Sequence, residues 1–533
     1  MKRRVAVPAA APAAAYRLVI KRLIDTARLT GAGWVLAGLT FLGFLLRLLC
    51  LRLEHVLTPD GTFYLGAARQ IASGHFAAGF SAYSTPLYPL LVAAASFLCG
   101  DLELAGRLVS LLAGGVLVVP VYFLIRRARG RRVATWGATL IAVHPLLIYY
   151  STEALTESTY TLFFVCGVLA GWQALSTKRT RPFVLAGLAF GVCYLLKPEA
   201  IGFVLLLLAL ALVGGLKSKA VSRKNLFANC LWLLAGFLLL ALPYLIYIRS
   251  ETGMWTISAK LSRHMWQGSR LGNRALSAGG ELLPGLSVMF AQTAKALRSE
   301  YELLNLIFPP TFIALAALGL FRSRWTGRRA RYELYLLLFS VATLAGYAVT
   351  LPNIRFFVPL VPLAMGWVAG GAVEGEKWFQ QTLSVKRKGN GRRLMRGSFI
   401  SCVVALLVLS LVPLFIYLIR GDKWSDYMGQ KQAALWIKEQ AGAARPPLIM
   451  STSPISAFYA DGVQVEMQDE DYAAFIPRAR RERVDYIVIN ERDIKRTRLW
   501  PLLYEDSEHP GLRLVYRQTN MPEHKILIYV LLN

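Results

Sequence analysis

Four short groups of polar residues interrupt a largely apolar chain, and each carries residue types suited to chemistry. Thr58-Pro59-Asp60-Gly61-Thr62-Phe63-Tyr64 precedes an Ala-rich amphipathic stretch that contains Arg69, Gln70 and His75. Asp60 suits a general base or a metal ligand, but Pro-Asp-Gly-Thr equally suits a turn or N-cap aspartate. Tyr83-Ser84-Thr85-Pro86-Leu87-Tyr88-Pro89 has tyrosines placed for substrate binding, or prolines opening a helix with tyrosines anchored at a membrane interface. In Ser151-Thr152-Glu153-Ala154-Leu155-Thr156-Glu157 the two acids are four apart. On one helix they would share a face and repel unless a cation or metal answers them; otherwise both are solvated at the membrane surface. Lys197-Pro198-Glu199 and Asn353-Ile354-Arg355-Phe356-Phe357 supply cations. Arginine suits bidentate phosphate recognition and lysine supplies point charge, with snorkelling to lipid headgroups as the alternative.

The elements that must position these groups are membrane spans. Residues are 55% hydrophobic and only 17% charged, and runs such as Trp34 to Leu51, Ala200 to Leu216 and Ser398 to Leu418 approach or reach the length that crosses a bilayer. A purely soluble enzyme is excluded. The formal charge of +29 sits in short Lys/Arg clusters between apolar runs. That pattern fits cytoplasmic loops facing anionic lipid rather than a nucleic-acid surface. All six cysteines lie in or beside apolar runs and read as small core hydrophobes.

Residues 1–30 read as a cytoplasmic tail, since the first fifteen are basic and then Ala/Pro-rich without the apolar segment of a signal peptide. Basic clusters at Arg126 to Arg132, Lys178 to Arg181, Lys217 to Lys224, Arg322 to Arg331 and Lys386 to Arg396, if all cytoplasmic, force the spans between them to come in pairs. Pro86 to Cys99, about 14 apolar residues, then belongs to an external loop, 52–103, as an interfacial or re-entrant segment. Lys197-Pro198-Glu199 splits the stretch Pro182 to Gly215 in two, because proline removes a donor and disfavours helix before it. The expectation is about eleven transmembrane helices within 31–420, with a second external loop at 249–305. Residues 421–533 read as a small extracytoplasmic α/β domain: a polar helix, Trp424 to Gln440, then strands near Pro447 to Ser451, Val463 to Met467, Val484 to Asn490, Leu512 to Arg517 and Lys525 to Leu531. It has no GxGxxG and no P-loop, so nothing marks a nucleotide site. All four polar groups then face outward, at the depth of a lipid phosphate.

In this order and spacing the chain resembles the GT-C superfamily of membrane glycosyltransferases, specifically the family of protein O-mannosyltransferases and lipid A aminoarabinose transferases. The carriers are Asp60 after the first span, Ser84 to Pro89, Arg107-Leu108-Val109-Ser110, Arg126 to Arg132, His144-Pro145 to Glu157, Lys197-Pro198-Glu199, and Arg355-Phe356-Phe357 with Pro359 and Pro362. The resemblance implies inverting transfer of one sugar from a polyprenyl-phosphate donor to a glycolipid, polysaccharide or protein acceptor on the extracytoplasmic face of a bacterial inner membrane. It implies that Asp60 deprotonates the acceptor hydroxyl, Glu157 assists or orients, and Lys197 and Arg355 hold the leaving phosphate. Glu153, Tyr64, Tyr83, Tyr88 and His75 complete the expected substrate-binding set. Many relatives carry a second acid directly after the aspartate; this chain has Gly61, so no obligatory metal is expected. The partners are then the lipid-linked donor, the acceptor and membrane lipids, without nucleic acid. The rival from another class is a transporter or lipid-linked glycan flippase, which would show internal repeats and midplane sites that this sequence lacks.

Overall fold

The computed structural model describes residues 31–52, 56–82, 84–216, 222–258, 297–321, 325, 327–347, 353–383, 402–420, 423–442, 445–495, 497–504, 509–518 and 525–532. The expected N-terminal tail, most of the loop at 249–305, and Tyr83 lie outside them.

The first helix, α1 (Gly31–Leu51), exposes Trp34, Phe41, Leu45, Leu48 and Leu49 and turns Arg47 fully inward. After it come α2 (Pro59–Ala72) and α3 (Leu87–Cys99). Thirteen residues make α3 about 20 Å long, shorter than a bilayer core. It packs on α2 and on α4 (Leu102–Val116), in keeping with a segment that does not cross. The next helix, α5 (Val118–Val143), is broken at Gly130, whose φ of 82° and ψ of 174° only glycine adopts without strain. The chain turns back inside the basic cluster Arg126 to Arg132, which brings Gly137 against the Ile125 side chain. Ion pairs fix that end: a buried one from Arg129 to Glu333 at 2.7 Å, with the Trp367 indole donating to Glu333 at 2.7 Å, and one from the half-exposed Arg132 to the buried Glu376.

His144 and Pro145 end that arm and start α6 (Pro145–Thr152), followed by α7 (Glu157–Thr177), α8 (Thr180–Tyr194), α9 (Ile201–Leu216) and α10 (Arg223–Thr252). Lys197 is extended and Pro198–Ala200 forms one 3-10 turn between α8 and α9, so the chain breaks where proline dictates. Further on lie α11 (Pro310–Phe321), α12 (Gly327–Tyr347), α13 (Leu360–Leu383) and α14 (Val412–Arg420). Phe164, Phe190, Phe203 and Phe339 form an aromatic slab between α7, α8, α9 and α12, the Phe164 and Phe203 rings lying 4.8 Å apart.

Among the described residues, five helices are long and apolar enough to cross a membrane, or six if the pair Leu297–Ile307 and Pro310–Phe321, bent by 86°, is one broken span. One of the five, Leu102–Val143, comprises α4 and α5 and includes the break at Gly130. Thr180–Tyr194 and Cys402–Leu418 are apolar but shorter.

Beyond α15 (Lys423–Ala441) lies a five-stranded mixed sheet of order β2-β1-β3-β5-β4. Its strands are β1 (Leu448–Ser451), β2 (Val463–Glu466), β3 (Tyr486–Asn490), β4 (Leu512–Arg517) and β5 (Ile526–Leu531). The first three are parallel; β5 runs antiparallel to β3 and β4. The helices α16 (Pro454–Tyr459) and α17 (Tyr472–Arg481) make the crossovers. Every strand lies where the alternation of apolar residues predicts it. Between β3 and β4, Trp500–Leu503 forms a short 3-10 turn with Pro501 in its first positions.

Candidate active site

Asp60 lies on the first turn of α2, and the structure separates it from the capping role that its sequence context also allows. Thr58 is the N-cap, its hydroxyl accepting from the Gly61 amide at 3.2 Å, and Pro59 starts the helix. The Asp60 carboxylate is left to point away, and it pairs with Arg355. Arg355 is held in a 3-10 turn, Ile354–Phe357, capped by Asn353 through the Arg355 amide at 3.2 Å.

Glu157 begins α7, and Lys197 is the extended residue that leads into the 3-10 turn after α8. The ammonium of Lys197 donates to Glu157 Oε1 at 3.1 Å, and Nε of Arg355 lies 3.9 Å from the same oxygen. Asp60, Arg355, Glu157 and Lys197, which span almost 300 positions of sequence, form one continuous chain of alternating charge. Exposure falls along it: Asp60 is 50% exposed, Arg355 26%, Lys197 12% and Glu157 3%. The site is open at Asp60 and closed at Glu157. The second oxygen of Glu157 is buried with no hydrogen-bond partner among the described residues.

Aromatic faces complete the cation sites. Lys197 lies 5.4 Å from the Tyr160 ring centroid and 5.3 Å from that of Phe356, and Arg355 lies 5.2 Å from Phe356. For Arg355, burial opposes the charge, but Glu157 and Asp60 outweigh it and raise the guanidinium above its usual range. Tyr64 lies one turn along α2 from Asp60, close to Thr156 at the foot of α7. Its burial, then the carboxylates of Glu157 and Asp60, push its phenol up, so it stands beside the cluster as a neutral hydroxyl.

Other expected members are arranged differently. Glu153 does not share a helical face with Glu157: it is extended, at φ −86° and ψ 144°, and it ends α6, with a turn before α7. The spacing of four therefore does not place them on one helical face. Glu153 is nevertheless buried, beneath the same end of the bundle. Tyr88 is fully buried; it donates to the Gly106 carbonyl at 2.8 Å, lies 2.9 Å from Ser110, and stacks edge-on against Tyr64, so it joins α3 to α4 behind the site. His75 lies past the far end of α2, about 20 Å along the helix from Asp60, where Nδ1 meets the Ser73 hydroxyl at 3.0 Å. The geometry does not bring it to the cluster.

Sequence reasoning missed Tyr160 and Phe356 as cation platforms and Glu103 with Arg107 as a support. The last pair did leave a signal, a carboxylate four residues before an arginine. Among the described residues no group of three or more His, Cys, Asp or Glu is disposed to hold a metal ion. Asp60 has Arg355 beside it, not a second acid.

Helices packed in this order match solved structures in overall fold. ArnT from Cupriavidus metallidurans bound to undecaprenyl phosphate is similar over 94% of this chain and 98% of its own, with a TM-score of 0.58 and 14% identity. The Archaeoglobus fulgidus oligosaccharyltransferase tethered with an acceptor peptide is similar over 87% of this chain and 69% of its own, with a TM-score of 0.56 and 14% identity. The fold is GT-C. Residues 83–247 match the family model for dolichyl-phosphate-mannose-protein mannosyltransferase. The matched segment contains Glu157 and Lys197 but neither Asp60 nor Arg355. No curated protein sequence matches the chain.

Proposed function

We propose that this protein is an inverting glycosyltransferase that moves one sugar from a polyprenyl-phosphate carrier to an envelope acceptor on the extracytoplasmic face of a bacterial inner membrane. One observation carries the reading. Lys197 and Arg355 both turn toward a single oxygen, Glu157 Oε1, at 3.1 and 3.9 Å, beside the half-exposed Asp60. In this state carboxylates occupy both cations. A lipid phosphate brings the same charge and more acceptor oxygens, so it competes for Lys197 and Arg355 and releases Asp60. A related ArnT structure contains undecaprenyl phosphate, and an archaeal oligosaccharyltransferase, AglB, similar with a TM-score of 0.52, contains dolichol phosphate. A carrier of that class supports the reading.

The step follows from the residues. Asp60 takes the proton of the acceptor hydroxyl as its oxygen bonds to the anomeric carbon. The bond from that carbon to the phosphate oxygen breaks on the opposite face, and its electron pair goes to the phosphate. Lys197 and Arg355 stabilise the charge that develops there, and Glu157 keeps Lys197 oriented. A single displacement inverts the anomeric centre. No step calls for a metal, since two cations already answer the leaving group.

The test is Asp60→Asn, assayed with a panel of undecaprenyl-phosphate-linked hexoses and pentoses. Its kcat falls by about 10² to 10⁴ if the carboxylate is the base. Wild-type turnover would eliminate that role.

A further inference from the structure

We infer that the C-terminal domain is part of the catalytic apparatus: through Tyr459 and Lys431 it holds a Glu103–Arg107 hub that sets the spacing between the segments carrying Asp60 and Glu157. The inference rests on the proposed role of Asp60 but concerns residues outside the cluster.

Arg107, in α4, is only 3% exposed, and it bridges two carbonyls. Its Nη2 donates to Val56 at 3.2 Å and its Nη1 to Thr152 at 3.3 Å. Val56 lies four residues before Asp60, and Thr152 five before Glu157. One planar guanidinium thus ties together the approaches to both acids, and its fixed fork sets their separation. One turn later, Ser110 donates to the Leu155 carbonyl at 3.0 Å, a second strut to the Glu157 side.

Arg107 is itself positioned by Glu103 at 2.8 Å, and Glu103 is held from the other domain. The Tyr459 hydroxyl donates to Glu103 Oε2 at 3.0 Å and accepts from the Leu57 amide at 3.0 Å. Lys431, in α15, lies 3.7 Å from the same Glu103 oxygen and 4.5 Å from the Tyr459 ring centroid. Tyr459 therefore touches the segment before Asp60 directly, through Leu57, and indirectly, through Glu103 and Arg107. Burial, then the charge of Glu103, push its phenol up, which keeps the donated proton in place. Farther along α2, Arg69 pairs with Asp461 at 3.0 Å and lies 4.6 Å from the Phe458 ring centroid, while Lys438 pairs with Asp461 at 2.6 Å. The helix bearing Asp60 is gripped by the sheet domain at both ends.

Tyr459 and Lys431 are positioning residues, and Tyr459→Phe removes only the hydroxyl while keeping the ring. In the full-length protein, amide exchange at Leu57 is expected to accelerate about three- to tenfold, the loss of an ordinary hydrogen bond. Transfer from the undecaprenyl-phosphate sugar panel should lose a similar factor in kcat with KM for the donor unchanged, because Lys197 and Arg355 are untouched. Lys431→Gln should move both readouts the same way. Wild-type exchange at Leu57, or faster exchange with wild-type kcat, would overturn the inference. If Asp60→Asn is fully active while Tyr459→Phe still lowers kcat, the proposed base falls and the interdomain coupling stands.

Discussion

Glu157 and Lys197 are the residues on which burial acts most strongly. At 3% exposure Glu157 has almost no water, and Lys197 is its nearest cation. Lys197→Met leaves a buried carboxylate uncompensated by that partner and should destabilise the protein by about 3 kcal/mol, read by thermal unfolding in detergent. Adding Glu157→Gln should restore most of that stability without restoring transfer, which separates the structural from the catalytic part of the pair. Unfolding of Lys197→Met at the wild-type temperature would contradict it. Because Lys197 and Arg355 supply the positive charge, chelation with EDTA should leave turnover unchanged; loss of activity restored by a divalent ion would show that a metal is required. The four charged members of the cluster were legible in the sequence because carboxylates and cations at the outer ends of apolar runs are costly without partners. Their pairing was not, since Asp60 and Arg355 meet only through tertiary packing. The spacing of Glu153 and Glu157 misled, because a four-residue rule holds only on an unbroken helix.

At the scale of elements, two backbone features position the site. In α5, Gly130 adopts a conformation closed to side chains, although a Cβ there would meet nothing within 4 Å. Gly130→Ala should therefore cost about 1 to 3 kcal/mol through backbone strain alone, and a similar loss should not follow at Gly38, where space is equally open. The α8–α10 crossing depends on close approach instead. A Cβ at Gly187 would collide with the Leu233 carbonyl, and one at Gly236 would lie 2.7 Å from that of Val184. Gly187→Ala should force these helices apart at a cost of about 1 to 3 kcal/mol and displace Lys197, which follows α8, lowering turnover as well as stability. Proline and charge signals made the break at Lys197 and the reversal at Arg126 to Arg132 readable. The short 3-10 turn that carries Arg355 had no such signal beyond Asn353 and its neighbours.

For the whole molecule, the reading requires that α2 and the sheet domain lie on one side of the membrane and the Gly130 reversal on the other. In a cysteine-free background, His75→Cys and Arg131→Cys, both exposed positions, should label from opposite sides; labelling from one side would overturn the pairing of spans. The strand positions were readable from apolar alternation, but their order and the docking of Tyr459 on Leu57 and Glu103 were not; 402 positions of chain separate Leu57 from Tyr459. The central claim is tested most directly by the structure of this protein with undecaprenyl phosphate bound. The account predicts the phosphate between Lys197 and Arg355, with the contact from Arg355 to Asp60 broken and the Asp60 carboxylate open to the vestibule. A phosphate bound elsewhere, with that contact intact, would contradict it.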